Sequence, residues 1–301
     1  MEQNSTNLSG QSQNTPLSSV KNPGTPITDV KKQIMQKYLK VLIIVFGVFI
    51  ILETLLVGYA LKYSSSSALQ LAVYPIVVVI VFYSVLKQMA ENLFFQQFAF
   101  ANGFSFQKQG LPIGLNGSLF FIGHSPYGRD LVTGKIKDVP FDLFNYQYTV
   151  GSGKSSATYF YTVLRMEYGS PLPPIFLQAK GRPFGGYSFG GPSKEDKEKI
   201  QLEGNFNEFF NVWAKKGFET EVFQVFTPDV MEKIQTDWKD FSLEFIGQQI
   251  YIYSRHVITK DAELESMYNL CQYLVQKIEP VINKMKGDLS ALEEYYDEDN
   301  K

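Results

Sequence analysis

Phe141-Asp142-Leu143-Phe144-Asn145-Tyr146-Gln147-Tyr148-Thr149-Val150 runs into Gly151-Ser152-Gly153-Lys154-Ser155-Ser156 and then Ala157-Thr158-Tyr159-Phe160-Tyr161-Thr162-Val163-Leu164. In the first segment Phe144, Tyr146, Tyr148 and Val150 fall on one side, and Asn145, Gln147 and Thr149 on the other. Side chains alternate faces along a strand, so this pattern gives a sheet with two different faces. The third segment again mixes aromatic and β-branched residues, and the glycine-serine stretch between them has loop chemistry. The three together predict an antiparallel hairpin.

A second hairpin follows the same logic. Phe241, Leu243 and Phe245 alternate, Gly247-Gln248 turns, and Ile250 and Ile252 with their tyrosines continue. Phe104 to Gln107, Ser118 to His124 and Ile175 to Gln178 are shorter strand candidates. Gly169 to Ser193 is rich in Gly and Pro and reads as loop around the last of these. Ser193 is a capping residue for a charged helix from Lys194 to Leu202. Thr227-Pro228-Asp229 has the hydroxyl, the proline and the acid of a helix start, and that helix is expected to reach Trp238. Leu264, Met267, Cys271, Leu274, Ile278, Ile282 and Met285 step by three or four, which predicts a long helix from Asp261 with one buried stripe. Pro280 should bend it or weaken one turn.

Toward the N-terminus the character changes. Val41 to Leu61 and Ala68 to Leu86 are two apolar runs separated by Lys62-Tyr63-Ser64-Ser65-Ser66-Ser67. As helices each would reach roughly 28–31 Å, the thickness of a bilayer core. They read as a two-helix transmembrane hairpin. Lys31, Lys32, Lys37 and Lys40 precede it and Lys87 follows it, while the turn holds only Lys62. The positive-inside rule then puts both chain ends in the cytoplasm and the protein in the cell membrane, with membrane lipids as partners. The domain plan is a disordered tail (1–28), a lead-in and hairpin (29–87, spans 41–61 and 68–86), a cytoplasmic α+β domain (88–287) and an acidic tail (288–301). The fold class is thus a membrane protein with an antiparallel sheet, curled into a sandwich or partial barrel, and a packed C-terminal helix. Gln88 to Asn102 is expected to carry the second helix into the domain, with Met89, Leu93, Phe94, Phe98 and Ala101 at helical spacing.

Glu53 is the most unusual residue of that hairpin. At mid-span an ionised carboxylate costs at least ~2.5 kcal/mol. Tyr74 lies at a matching depth on the second helix. The sequence therefore predicts a Glu53–Tyr74 contact that pins the helices, or a contact from Glu53 to a membrane protein partner.

Few other residues suggest chemistry. The chain is close to neutral, at −2, without the basic surplus of a nucleic-acid binder. Cys271 is the single cysteine, so no intramolecular disulfide forms, and it sits on an apolar helix face. Gly151-Ser152-Gly153-Lys154-Ser155 resembles half a phosphate loop, but Tyr148 stands where the motif needs glycine and a strand follows where it needs a helix. His124 and His256 have no metal-ligand spacing. His124, Ser125, Tyr127, Arg129 and Asp130 form the densest polar cluster and read as a turn. No catalytic, cofactor-binding or metal-binding residue is assigned, and no cofactor.

Glu203-Gly204-Asn205-Phe206-Asn207-Glu208-Phe209-Phe210-Asn211-Val212, Phe226-Thr227-Pro228-Asp229-Val230-Met231 and the run from Phe241 to Tyr253 resemble a group of uncharacterised bacterial membrane proteins. These pair two N-terminal spans with a cytoplasmic α+β domain of unknown function, and the group implies no catalytic residues. The layout is more loosely similar to bacterial pleckstrin-homology-like membrane proteins. The functional expectation is a membrane-anchored binding or scaffolding module. The alternatives are a membrane-tethered enzyme on a lipid-linked or peptide substrate, or an accessory subunit of a transport assembly.

Overall fold

The computed structural model describes residues 27–63, 74–180 and 197–285. The expected disordered and acidic tails, the serine turn of the apolar hairpin and most of the glycine-rich loop lie outside these residues. Two long helices come first, α1 (Ile27–Tyr63) and α2 (Tyr74–Ala101). The strands are β1 (Ser105–Gln109), β2 (His124–Ile136), β3 (Val139–Val150), β4 (Ala157–Glu167), β5 (Ile175–Ala179), β6 (Lys197–Ile200), β7 (Phe210–Lys215), β8 (Ser242–Ile246) and β9 (Gln249–Ser254). Short helices α3 (Phe206–Phe209), α4 (Glu219–Val225) and α5 (Pro228–Asp237) precede β8 or flank β7, and α6 (Asp261–Met285) closes the described chain.

The strands form one antiparallel sheet in the order β1-β2-β3-β4-β9-β8-β5-β7-β6. Among the described residues its outer strands, β1 and β6, are not paired with each other, so there is one open sheet and not the two sheets of a sandwich. β3 pairs with β4 from Phe141↔Met166 to Val150↔Ala157 without a slip. That register follows from alternation: a shift by one residue would turn Tyr146 and Tyr148 out of their cluster.

Each face of the sheet has its own core. On one face Phe141, Leu143, Leu164, Met166, Ile250 and Ile252 pack with α6 and the second half of α2. All seven residues of the α6 stripe are buried, Cys271 among them. Burial pushes the Cys271 thiol well above its usual range, which makes it inert. On the other face Phe144, Tyr146, Tyr148, Tyr161, Tyr251 and Tyr253 form an aromatic layer. A strap from Gly110 to Gly123 covers it, with Leu119 and Phe120 against the rings. Glu244 fastens that strap: its buried carboxylate accepts from the Ser118 amide at 3.0 Å and from Tyr253 Oη at 2.7 Å.

The two-span membrane hairpin is not supported. Among the described residues no helix is long and apolar enough to cross a membrane. The second apolar run is not a separate span either. Its described part, from Tyr74, is the first part of α2, which continues through Lys87 and Glu91 and buries Ala90, Phe94, Phe95, Phe98 and Ala99 in the sheet core. With the hairpin go the membrane-protein class, the cell-membrane placement with both ends cytoplasmic, and the basis for membrane lipids as partners.

Two smaller expectations are corrected as well. Lys197–Ile200 is an edge strand, not part of a charged helix, and its exposed Glu198 and Lys199 are the kind of charges by which edge strands avoid further pairing. Ser118 to Phe121 is a 3-10 turn within the strap, not a strand.

Candidate functional site

The polar side chains that converge lie between α2 and the β2–β4 part of the sheet. Lys87, Gln88, Glu91 and Asn92 occupy successive turns of α2, so they share the helix face nearest the strands. Opposite them β2 is irregular, with its register against β3 shifting between Arg129 and Val132. Asp130 takes a left-handed conformation there, with φ of 57°. Such a bulge re-aims side chains, and aspartate tolerates the conformation better than most residues.

The bulge turns Arg129 onto two acids. Its Nη2 donates to Glu91 Oε2 at 2.7 Å and its Nη1 to Asp130 Oδ2 at 2.8 Å. Asn145 Nδ2 donates to the same Asp130 oxygen at 2.9 Å. Asn92, with its amide nitrogen toward β2, donates to Asp130 Oδ1. From Asn145 the chain of bonds runs on: Thr162 Oγ1 donates to Asn145 Oδ1 at 2.7 Å, and the Ile258 amide donates to Thr162 Oγ1 at 2.9 Å. The network ties α2, β2, β3, β4 and the segment after β9 together.

Asp130 is fully buried, and that burial raises its carboxyl from 3.8 to about 6. The bonds from Asn145 and Arg129 oppose the rise, and the nearby Glu91 charge adds to it. Glu91 is also buried, with 2% of its side chain exposed. Its Oε1 has no hydrogen-bond partner among the described residues. Lys87 Nζ is 3.9 Å from that oxygen, too far for a hydrogen bond.

A cleft of about 460 Å³ opens over this network, walled by Lys87, Glu91, Tyr127, Arg129, Phe160 and His256. His256 Nε2 contacts Glu263 Oε1 at 2.9 Å on its rim. The volume falls in the range of small-molecule sites. The cleft combines a buried acid at its floor, an aromatic wall and polar groups at its mouth.

The residues singled out from the sequence fare differently. Glu53 is half-buried in the second half of α1, and Tyr74 opens α2, but the Tyr74 side chain lies outside the described residues. The polar cluster read as a turn is part of β2, and the structure splits it. His124 contacts Ser125 Oγ at 3.0 Å and the Gly151 carbonyl at 2.8 Å, pinning the β3–β4 tip. Tyr127 and Arg129 line the cleft, and Asp130 lies beneath it. The phosphate-loop fragment is the exposed tip itself. Among the described residues no group of three or more metal-ligating side chains comes together. Glu91 was missed. Its sequence signal was an acid inside an apolar stripe, and its spacing from Lys87 reads as a solvated pair.

No family model matches the chain, and no curated protein matches it. Among solved structures it is similar to the crystal structure of the mycobacterial trehalose monomycolate transport factor A, TtfA, with a TM-score of 0.45 and 12% identity over 61% of this chain and 92% of that one. At that distance the likeness assigns neither ligand nor activity to this chain.

Proposed function

We propose that the chain is a binding module whose site is the cleft between α2 and β2–β4. The observation that carries this reading is Glu91: a carboxylate almost wholly buried at the cleft floor, with one oxygen left without a hydrogen bond. Leaving such a group unsatisfied is costly, and of the described buried acceptors without a hydrogen bond Glu91 Oε1 is the one whose residue walls this cleft. The rest of the network is already satisfied and holds Glu91 in place.

A fragment screen by thermal shift on the full chain and on Phe160→Ala tests this. Fragments that stabilise the native protein are expected to lose their effect in the variant, since Phe160 is partly exposed on the cleft wall. Hits that stabilise both proteins equally would move the site elsewhere.

A scaffolding role is the second reading, and exposed apolar side chains favour it. Ile43, Ile44, Ile51, Leu55 and Tyr59 on α1, with Ile80, Val81 and Tyr83 on α2, are each more than half exposed. Exposed apolar side chains in this number supply the surface that protein contacts use. Sedimentation of the native chain beside Leu55→Lys is the test, with loss of self-association or of a co-purifying protein as the supporting result. The accessory transport-subunit alternative draws no support from a likeness as distant as the one above.

A further inference from the structure

We infer that the cleft takes the protonated nitrogen of a small organic cation, an amine or amidine with an apolar body, and that Lys87 is its built-in competitor. This rests on the cleft being the binding site and names the ligand class.

The charges facing the cleft decide the sign. Arg129 has both terminal nitrogens engaged, one on Glu91 and one on Asp130. His256 is matched by Glu263. One guanidinium is thus shared by two carboxylates, and Glu91 Oε1 is the acceptor left over. An anion entering the cleft would find both terminal guanidinium nitrogens engaged and would have to pair with the half-exposed Lys87 ammonium against the Glu91 charge beside it. A cation would meet an acceptor that lacks only a donor. Charge-assisted N–H···O bonds close to about 2.7–2.9 Å. Lys87 stops at 3.9 Å with half of its side chain in solvent, so it neutralises the site without satisfying it. An ammonium or amidinium of the right reach would make the bond that Lys87 does not.

The wall agrees with this sign. Phe160 and Tyr127 line the same cleft and present aromatic surface to it. Aromatic faces attract cations, with greater effect where water is excluded. The volume suits one small molecule.

The test titrates the full chain with three probes of one shape, benzylamine, benzyl alcohol and benzoate, and follows the amide resonances of Gln147, Phe160 and Val257, which all line the cleft. Benzylamine is expected to bind about tenfold more tightly than benzyl alcohol, the worth of one charge-assisted hydrogen bond, and benzoate least. Glu91→Gln should weaken benzylamine by about the same factor. Lys87→Ala, a substitution at an exposed side chain, should strengthen it about threefold or more by removing the competitor. Benzyl alcohol or benzoate binding in the cleft as tightly as benzylamine would overturn the cation assignment and leave the binding module standing. So would unchanged or weakened benzylamine binding in Lys87→Ala, a result that holds even if Glu91→Gln fails to fold. If no probe moves the three resonances, both the ligand class and the site fall.

Discussion

Replacing Asp130 with asparagine should change how stability depends on pH. Asp130 is fully buried in the β2 bulge and faces Arg129, Glu91, Asn145 and Asn92. Burial raises its carboxyl from 3.8 to about 6 despite the Arg129 and Asn145 bonds. The native state therefore favours the protonated form more than the unfolded chain does. That contribution is complete below about pH 3.8 and is lost as pH rises through about 6. A shift of about two units corresponds to about 3 kcal/mol, of which about 2 kcal/mol disappears between about pH 4.5 and about pH 7.5. Asparagine keeps the shape and an acceptor for Arg129 but does not titrate. Urea unfolding of both proteins across that window isolates the effect, because every other titrating group is common to both. The native chain should lose about 2 kcal/mol relative to Asp130→Asn as pH rises. A difference that stays flat, or that rises with pH, would refute the reasoning.

Three further outcomes follow from the packing. Leu274→Ala empties a site at the centre of α6 where the side chain is 1% exposed, and should cost about 2–5 kcal/mol in urea unfolding. Gly128→Ala places a Cβ 2.3 Å from Leu111 Cδ2 and 2.6 Å from the Gly110 carbonyl, so β2 or the start of the strap must shift. A loss of about 1–3 kcal/mol is expected from the same measurement. Lys277→Ala removes the hydrogen bond that, with one from Thr227, holds the Asp229 carboxyl down to about 2. The Asp229 carboxyl should titrate at a visibly higher pH by NMR. Stability at neutral pH should fall by less than about 1 kcal/mol, because the pair is exposed to solvent and salt. What the pair does contribute is present above about pH 3.8 and lost as pH falls through about 2.

The parts of this fold legible in the sequence are those where one periodicity acts alone. Tyr146, Tyr148 and Tyr161 alternate cleanly, and so do Ile250 and Ile252 against Tyr251 and Tyr253, because each strand has two buried faces with different fillings. The α6 stripe is legible for the same reason at helical spacing. β2 was illegible: its bulges at Ser125 and Asp130 break the alternation and put polar residues where a strand pattern needs apolar ones. Lys197–Ile200 misled because charges that blunt a sheet edge look like a solvated helix face. The run from Ala68 to Leu86 misled because apolar residues all round a helix read as a span. The spacing from Gln88 to Asn102 announces that the helix goes on into the domain, but not that Phe94 and Phe98 are seated in a sheet core.

The candidate site was legible in its parts and not in its assembly. Arg129 and Asp130 stood out as polar neighbours, and Glu91 was an acid among apolar residues. Glu91 and Arg129 are 38 positions apart, and only the bulge of β2 against α2 turns a solvated Lys87–Glu91 pair into a buried acid with one oxygen to spare. Tertiary placement of that kind leaves no trace in spacing.

The most direct test of the account is crystallographic. Crystals of the full chain soaked with amine-bearing fragments should show density in the cleft, with a nitrogen at hydrogen-bond distance from Glu91 Oε1 and the fragment body against Phe160. Density found only elsewhere, with Lys87 Nζ moved in to bond that oxygen, would contradict it.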